Sequence, residues 1–110
     1  MKLLNLTPHE VVCHVNDYVT ITVAREILSA RVATETIAMP PIMDEVGSFE
    51  LPMFATKYGN VENLPEPENN TYYIVSRMVK TASIDRTDLL VPSGLVRDAL
   101  GVIIGCRGFE

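Results

Sequence analysis

Short runs of β-branched and aromatic residues, each cut off by a turn signal, fill the chain from Glu10 onward and leave room for many strands but little helix. Glu10-Val11-Val12-Cys13-His14-Val15 and Tyr18-Val19-Thr20-Ile21-Thr22-Val23 flank Asn16-Asp17, a pair that tolerates left-handed backbone, and together predict a β-hairpin. Alternation in the second arm predicts that Val19, Ile21 and Val23 face a core while Tyr18, Thr20 and Thr22 face water. A third strand is expected from Arg31 to Ala38, ended by Met39-Pro40-Pro41-Ile42, because two prolines remove two ladder donors from any central strand; a loop is expected there. Phe49 to Tyr58 reads as a broken strand interrupted at Pro52 and closed by a Gly59-Asn60 turn. Glu62 to Asn70, carrying Pro65, Pro67 and Asn69-Asn70, reads as an exposed acidic loop.

Tyr72-Tyr73-Ile74-Val75 is the clearest central strand, and Ser76 is placed to cap a helix through Arg77, Met78, Val79 and Lys80. Leu89-Leu90-Val91 reads as a short strand, Pro92-Ser93-Gly94 as a turn, and Leu95 to Asp98 with Val102 to Phe109 as a second hairpin around Ala99-Leu100-Gly101. The pattern predicts an α+β fold: mainly an antiparallel sheet of about five to seven strands with one short helix packed on it. The 110 residues suffice for a single domain, residues 1–110, built on one core. A domain this small buries only about two-thirds of its unfolded surface, which predicts a homo-oligomer.

Charge narrows the partners. Nine basic against fourteen acidic residues give a net charge of −5, which disfavours a duplex nucleic acid. Acids concentrate in residues 41–70, whereas residues 71–110 hold Arg77, Lys80, Arg86, Arg97 and Arg107, so a small anion is the ligand class that fits the C-terminal part. Apolar stretches fall far short of a membrane span and the N-terminus does not read as a signal peptide, so no membrane partner and a cytoplasmic location are expected. Cys13 and Cys106 lack metal-ligand spacing and read as buried thiols; no cofactor or metal is expected.

Asn5, Thr7 and His9 alternate onto one side of the N-terminal segment, where His9 is a candidate general base or phosphate contact. The competing reading has the Asn and Thr side chains satisfying backbone and His9 exposed. His14 lies in a plain strand and is assigned no role. Ser76 and Arg77, joining a strand to a helix, are a candidate phosphate or carboxylate seat or, equally, a cap and a solvent-facing Arg. Gly105-Cys106-Arg107-Gly108 combines small residues with a guanidinium that holds phosphate bidentately, the alternative being a surface pair of Arg107 with Glu110 or Asp98. Cys106 beside Arg107 raises a low-pKa thiol as a minor option. None of these is a strong catalytic motif; no catalytic residue is assigned, and the balance leans away from an enzyme.

Asn5-Leu6-Thr7-Pro8-His9-Glu10-Val11 at the start, with Tyr73-Ile74-Val75-Ser76, Val96-Arg97-Asp98 and Ile103-Ile104-Gly105-Cys106-Arg107-Gly108-Phe109 toward the end, resembles a family of small proteins from phages, prophages and bacterial genomes. Members carry a Pro-Pro-Ser-Gly-like turn before an Ala-Arg-Val strand; Ala30-Arg31-Val32 matches, whereas Arg25-Glu26-Ile27-Leu28 departs from that turn. The resemblance implies no reaction. By analogy of size and origin it implies a sponge that sequesters a nucleotide-derived immune signal, for which Arg31, Arg77 and Arg107 supply phosphate contacts and Tyr58 a flat surface for a base. Two other readings remain: a nucleotide-cleaving enzyme using His9, and a protein-interaction inhibitor acting through the acidic loop from Glu62 to Glu68.

Overall fold

Strand β6 (Thr71–Ile74) lies at the centre of a computed structural model that describes residues 1–110. It pairs in parallel with β1 (Lys2–Asn5) on one side and with β7 (Leu89–Leu90) on the other. Tyr73, Ile74 and the following Val75 are all buried, and their alternation serves two cores. Tyr73 and Val75 join Leu6, Ala30, Val32, Val79, Leu89 and Val91, while Ile74 joins Val11, Cys13 and Cys106. A strand covered on both faces needs no polar alternation, which is why Tyr72 to Val75 is nearly continuous in apolar residues.

The first core is closed by α1 (Arg77–Ala82), whose Val79 is its only buried residue. Ser76 caps this helix, its Oγ accepting from the Val79 amide at 3.3 Å. The second core is closed by a mixed sheet in the order β3 (Thr20–Val23), β2 (Val11–His14), β9 (Ile103–Phe109) and β8 (Pro92–Arg97). Both expected hairpins are present in it. Their turns are organised by side chains: Asn16 Oδ1 accepts from the amides of Tyr18 and Val19, and Asp98 Oδ1 from those of Leu100 and Val102.

The architecture is β-rich with one short helix and holds antiparallel sheets, but the central sheet is parallel and β2 meets β9 in parallel at Cys13 and Cys106. Hairpins announce themselves through turn residues, whereas parallel neighbours are joined by long crossovers that leave no local mark. Strand β3 also departs from expectation, since Ile21 is 39% exposed and Val19 is exposed too. As the outer strand of its sheet it is covered only at Val23, which packs against the second core as expected. Pro92-Ser93-Gly94 is not a turn but the start of β8, with Gly94 at φ +67° accommodating the distortion.

The largest correction concerns β4 (Arg31–Met43) and β5 (Glu50–Glu62), which run antiparallel with each other and with nothing else. The expected loop at Met39 to Ile42 and the expected turn at Gly59-Asn60 lie inside these strands. Prolines are barred from central strands, but in a two-stranded ribbon each strand has a free edge where a missing donor costs no ladder bond. The register slips between Met39 and Ile42, where Pro40 and Pro41 sit. At the tip Asp44 Oδ1 accepts from the Ser48 amide at 2.6 Å, and Gly47 takes φ +70°. The projecting ribbon raises the radius of gyration to 18.8 Å, against about 13 Å for a compact domain of this length. No helix is long and apolar enough to cross a membrane.

Candidate functional site

The candidate residues fall into three places. At the first, Asn5 is fully buried and its amide is entirely used: Nδ2 donates to the carbonyls of His9 (2.7 Å) and Val23 (3.0 Å), and Oδ1 accepts from the Thr7 amide (3.0 Å). Thr7 Oγ1 lies 2.6 Å from Asn5 Oδ1 and 2.8 Å from the His9 carbonyl, its single proton serving one or the other. Asn5 and Thr7 therefore brace the bend at Pro8 and pin β1 to the end of β3. The His9 ring is left exposed beside Glu10 at the rim of an apolar groove of about 410 Å³ that also includes Val11, Pro92, Leu95 and Ile104.

The second place is a groove of about 470 Å³ between the base of the ribbon and α1, and it brings together Tyr58 and Arg77. Val32, Met78 and Ala82 give it an apolar lining, with Thr81 as a further polar group. Arg77, Met78, Thr81 and Ala82 share one side of α1 by their spacing of one and four residues. Tyr58 enters from β5, where it stands opposite Thr34. Arg77 forms an exposed ion pair with Glu110, and Glu110 also accepts from Ser93 Oγ at 3.0 Å. Those two partners, Arg77 first, hold the Glu110 carboxyl below its ordinary pKa. Ser76 does not enter this groove; its hydroxyl is engaged in the cap. Arg31 stands next to Val32 but outside the groove, 3.6 Å from Glu62 across the ribbon.

Arg107 occupies the third place, on the outer face of β9. It is exposed and forms no ion pair; Glu110, one of its expected partners, is held by Arg77, and Asp98 is engaged in the turn. Facing it across the ladder is Gly94, where an added Cβ would come within 3.3 Å of Arg107 Cβ. His14, which the sequence left without a role, lies on this side too. Its ring rests on Gly105, so close that a Cβ there would meet His14 Nε2 at 3.0 Å; Nδ1 is 3.2 Å from Thr20 Oγ1, and Nε2 has no partner. On the inner face, burial and then the neighbouring Cys13 push the Cys106 thiol up, which removes the option of a low-pKa nucleophile.

One further charged cluster is structural. Arg86 donates to both oxygens of Asp88, at 2.9 and 2.8 Å, in a largely covered site, and its guanidinium lies 5.9 Å from the centre of the Tyr73 ring. The pair raises the Arg86 pKa and lowers that of Asp88, while burial raises that of Tyr73. Tyr73 Oη donates to the Glu66 carbonyl at 3.2 Å, so this cluster fastens the acidic loop to β6. No three His, Cys, Asp or Glu side chains converge on one point.

Comparison with protein-family models, with curated proteins and with solved structures found no match to this chain.

Proposed function

We propose that the chain binds, without converting, a small anionic nucleotide-type ligand in the groove between α1 and the base of the ribbon. The observation that carries this reading is the meeting of Tyr58 and Arg77 over a lining of Val32, Met78 and Ala82. A phenol ring above an apolar floor suits a flat heterocycle, and a guanidinium at the edge suits its phosphate. The groove's volume of about 470 Å³ lies within the range of small-ligand sites. Glu110 holds Arg77 from an exposed position, so an incoming phosphate can take its place. In a phage or prophage setting such binding withdraws a nucleotide signal from the host cytoplasm, as the family resemblance implies.

A different observation favours an enzyme: His9 and Glu10 border the separate 410 Å³ groove. One experiment separates the two. The protein is incubated with cyclic dinucleotides and with ADP-ribose-type nucleotides, tested for a thermal shift, then heat-denatured and the nucleotide analysed. Saturation at 100 times the dissociation constant stabilises by about 2.7 kcal/mol. Intact nucleotide, with at least tenfold weaker binding by Tyr58→Ala and Arg77→Ala, supports the proposal. Converted product lost in His9→Ala supports the enzyme, and no shift with any nucleotide leaves the acidic-loop inhibitor.

A further inference from the structure

The ribbon carries a continuous apolar stripe on one face, whereas on the other face Thr36, Thr56 and Glu50 break up Ala38, Phe54 and Met43. Three successive cross-strand pairs, Ile37 with Ala55, Met39 with Met53 and Ile42 with Leu51, project to the same side, since opposed residues in an antiparallel pair share a face and every second residue of β5 repeats it. The five large side chains among them are between 39% and 52% exposed. Only the directly opposed Glu35 and Lys57 interrupt this face toward the base. An isolated two-stranded hairpin is marginal in water, and beyond its base, where Val32 and Val61 join the first core, this one has no layer against it.

We propose that this face is the interface with a second copy of the chain, stripe against stripe about a two-fold axis. The surface area fits such a partner. A folded monomer of 12.2 kDa exposes about 6,000 Å². This chain exposes 8044 Å². The excess of about 2,000 Å² is shared by the two faces of the ribbon, and the half on the stripe face is of the order that one subunit of a standard dimer covers, about 800 Å². The base of the ribbon is charge-balanced, Arg31 with Glu62 and Lys57 opposite Glu35, so its net negative charge lies at the tip with Asp44, Glu45 and Glu50. A two-fold axis across the ribbons sets them antiparallel, which keeps the two acidic tips apart and overlaps the apolar stripes between them. Pro40, Pro41 and Pro52 remove backbone donors from the distal half, which disfavours growth of the sheet edge to edge and leaves the face as the contact. The stripe lies on the opposite side of β5 from Tyr58, so this interface stands or falls independently of the ligand groove.

Light scattering on the full chain tests it. Wild type at high micromolar concentration should run at twice the chain mass, Met53→Glu should dissociate at least tenfold more readily, and Phe54→Glu, on the other face, should stay dimeric. Circular dichroism checks that each variant is folded; if Met53→Glu is not, Leu51→Ser takes its place under the same expectation. A monomeric wild type, a larger assembly, a dimer untouched by the stripe variant or one broken by Phe54→Glu overturns the proposal.

Discussion

Strands β6 and β4 are both rich in apolar residues, yet β6 is buried at every position but Tyr72 and β4 is exposed along ten successive positions, from Thr34 to Met43. The difference lies in what the flanking sequence builds. Around β6, a crossover through α1 and two hairpins of the mixed sheet bring layers onto both faces. Around β4, beyond Val32 at its base, there is only its own return strand. A body centred on Tyr73, Ile74 and Val75 therefore holds the fold, and the ribbon contributes an arm whose apolar side chains are not yet removed from water within one chain. With the proposed dimer, stability and association are divided between the two regions.

The largest expected effect breaks the body alone. Ile74→Ala leaves a cavity between β6 and the mixed sheet and should cost about 2–5 kcal/mol. Phe54→Ala truncates a side chain that is 63% exposed on the ribbon and should stay within about 0.5 kcal/mol. Urea unfolding of the two variants measures the contrast; comparable losses would mean that the ribbon is covered by its own chain. A smaller effect sharpens the same division by pH. Asp88 has a folded pKa below its unfolded value of about 3.9, chiefly through the hydrogen bonds from Arg86. Its contribution is thus complete above the unfolded pKa and is lost as pH falls through the folded one. Wild type should lose on the order of 1 kcal/mol from this pair below about pH 4. Asp88→Asn should be less stable at neutral pH and show a flatter acid slope over that window, and an unchanged slope would place the acid sensitivity elsewhere.

Sequence alone made the local features legible. The turns at Asn16 and Asp98, the Ser76 cap, the exposed acidic loop and the strand ending in the buried run Tyr73 to Val75 are all written within a few residues. What escaped it is set by distance along the chain. β1 is four residues with little β-branching, and it is a strand because β6, some seventy residues later, offers it an edge. The same holds for the candidate site: Tyr58 and Arg77 were identifiable as residue types, but their shared groove depends on the ribbon base meeting α1. Val32, Met78 and Thr81 carried no signal beyond the helical spacing of the last two with Arg77. Thr7 reads like a ligand contact in a sequence because its engagement with Asn5 and the His9 carbonyl is visible only in three dimensions.

An effect on stability as small as that of Phe54→Ala is expected at Arg107, which also tests which face of the body would take the proposed ligand. Its guanidinium forms no ion pair, and its exposed side chain faces Gly94 across the ladder, so Arg107→Ala removes little packing and should leave the melting temperature of the free protein almost unchanged, within about 0.5 kcal/mol. Glycine at position 94 keeps that face flat, and His14 beside Gly105 offers a second polar group there. These features make Arg107 the one exposed arginine of the C-terminal part that neither a carboxylate nor a backbone carbonyl already engages, since Arg77 holds Glu110, Arg86 holds Asp88 and Arg97 donates to the Gly101 carbonyl at 2.9 Å. With the nucleotide in the groove of Tyr58 and Arg77, calorimetric titration of Arg107→Ala should return the wild-type dissociation constant. A loss of tenfold or more, about 1.4 kcal/mol, with Tyr58→Ala unaffected would move the site to the sheet face under Arg107 and leave the groove at α1 without its ligand.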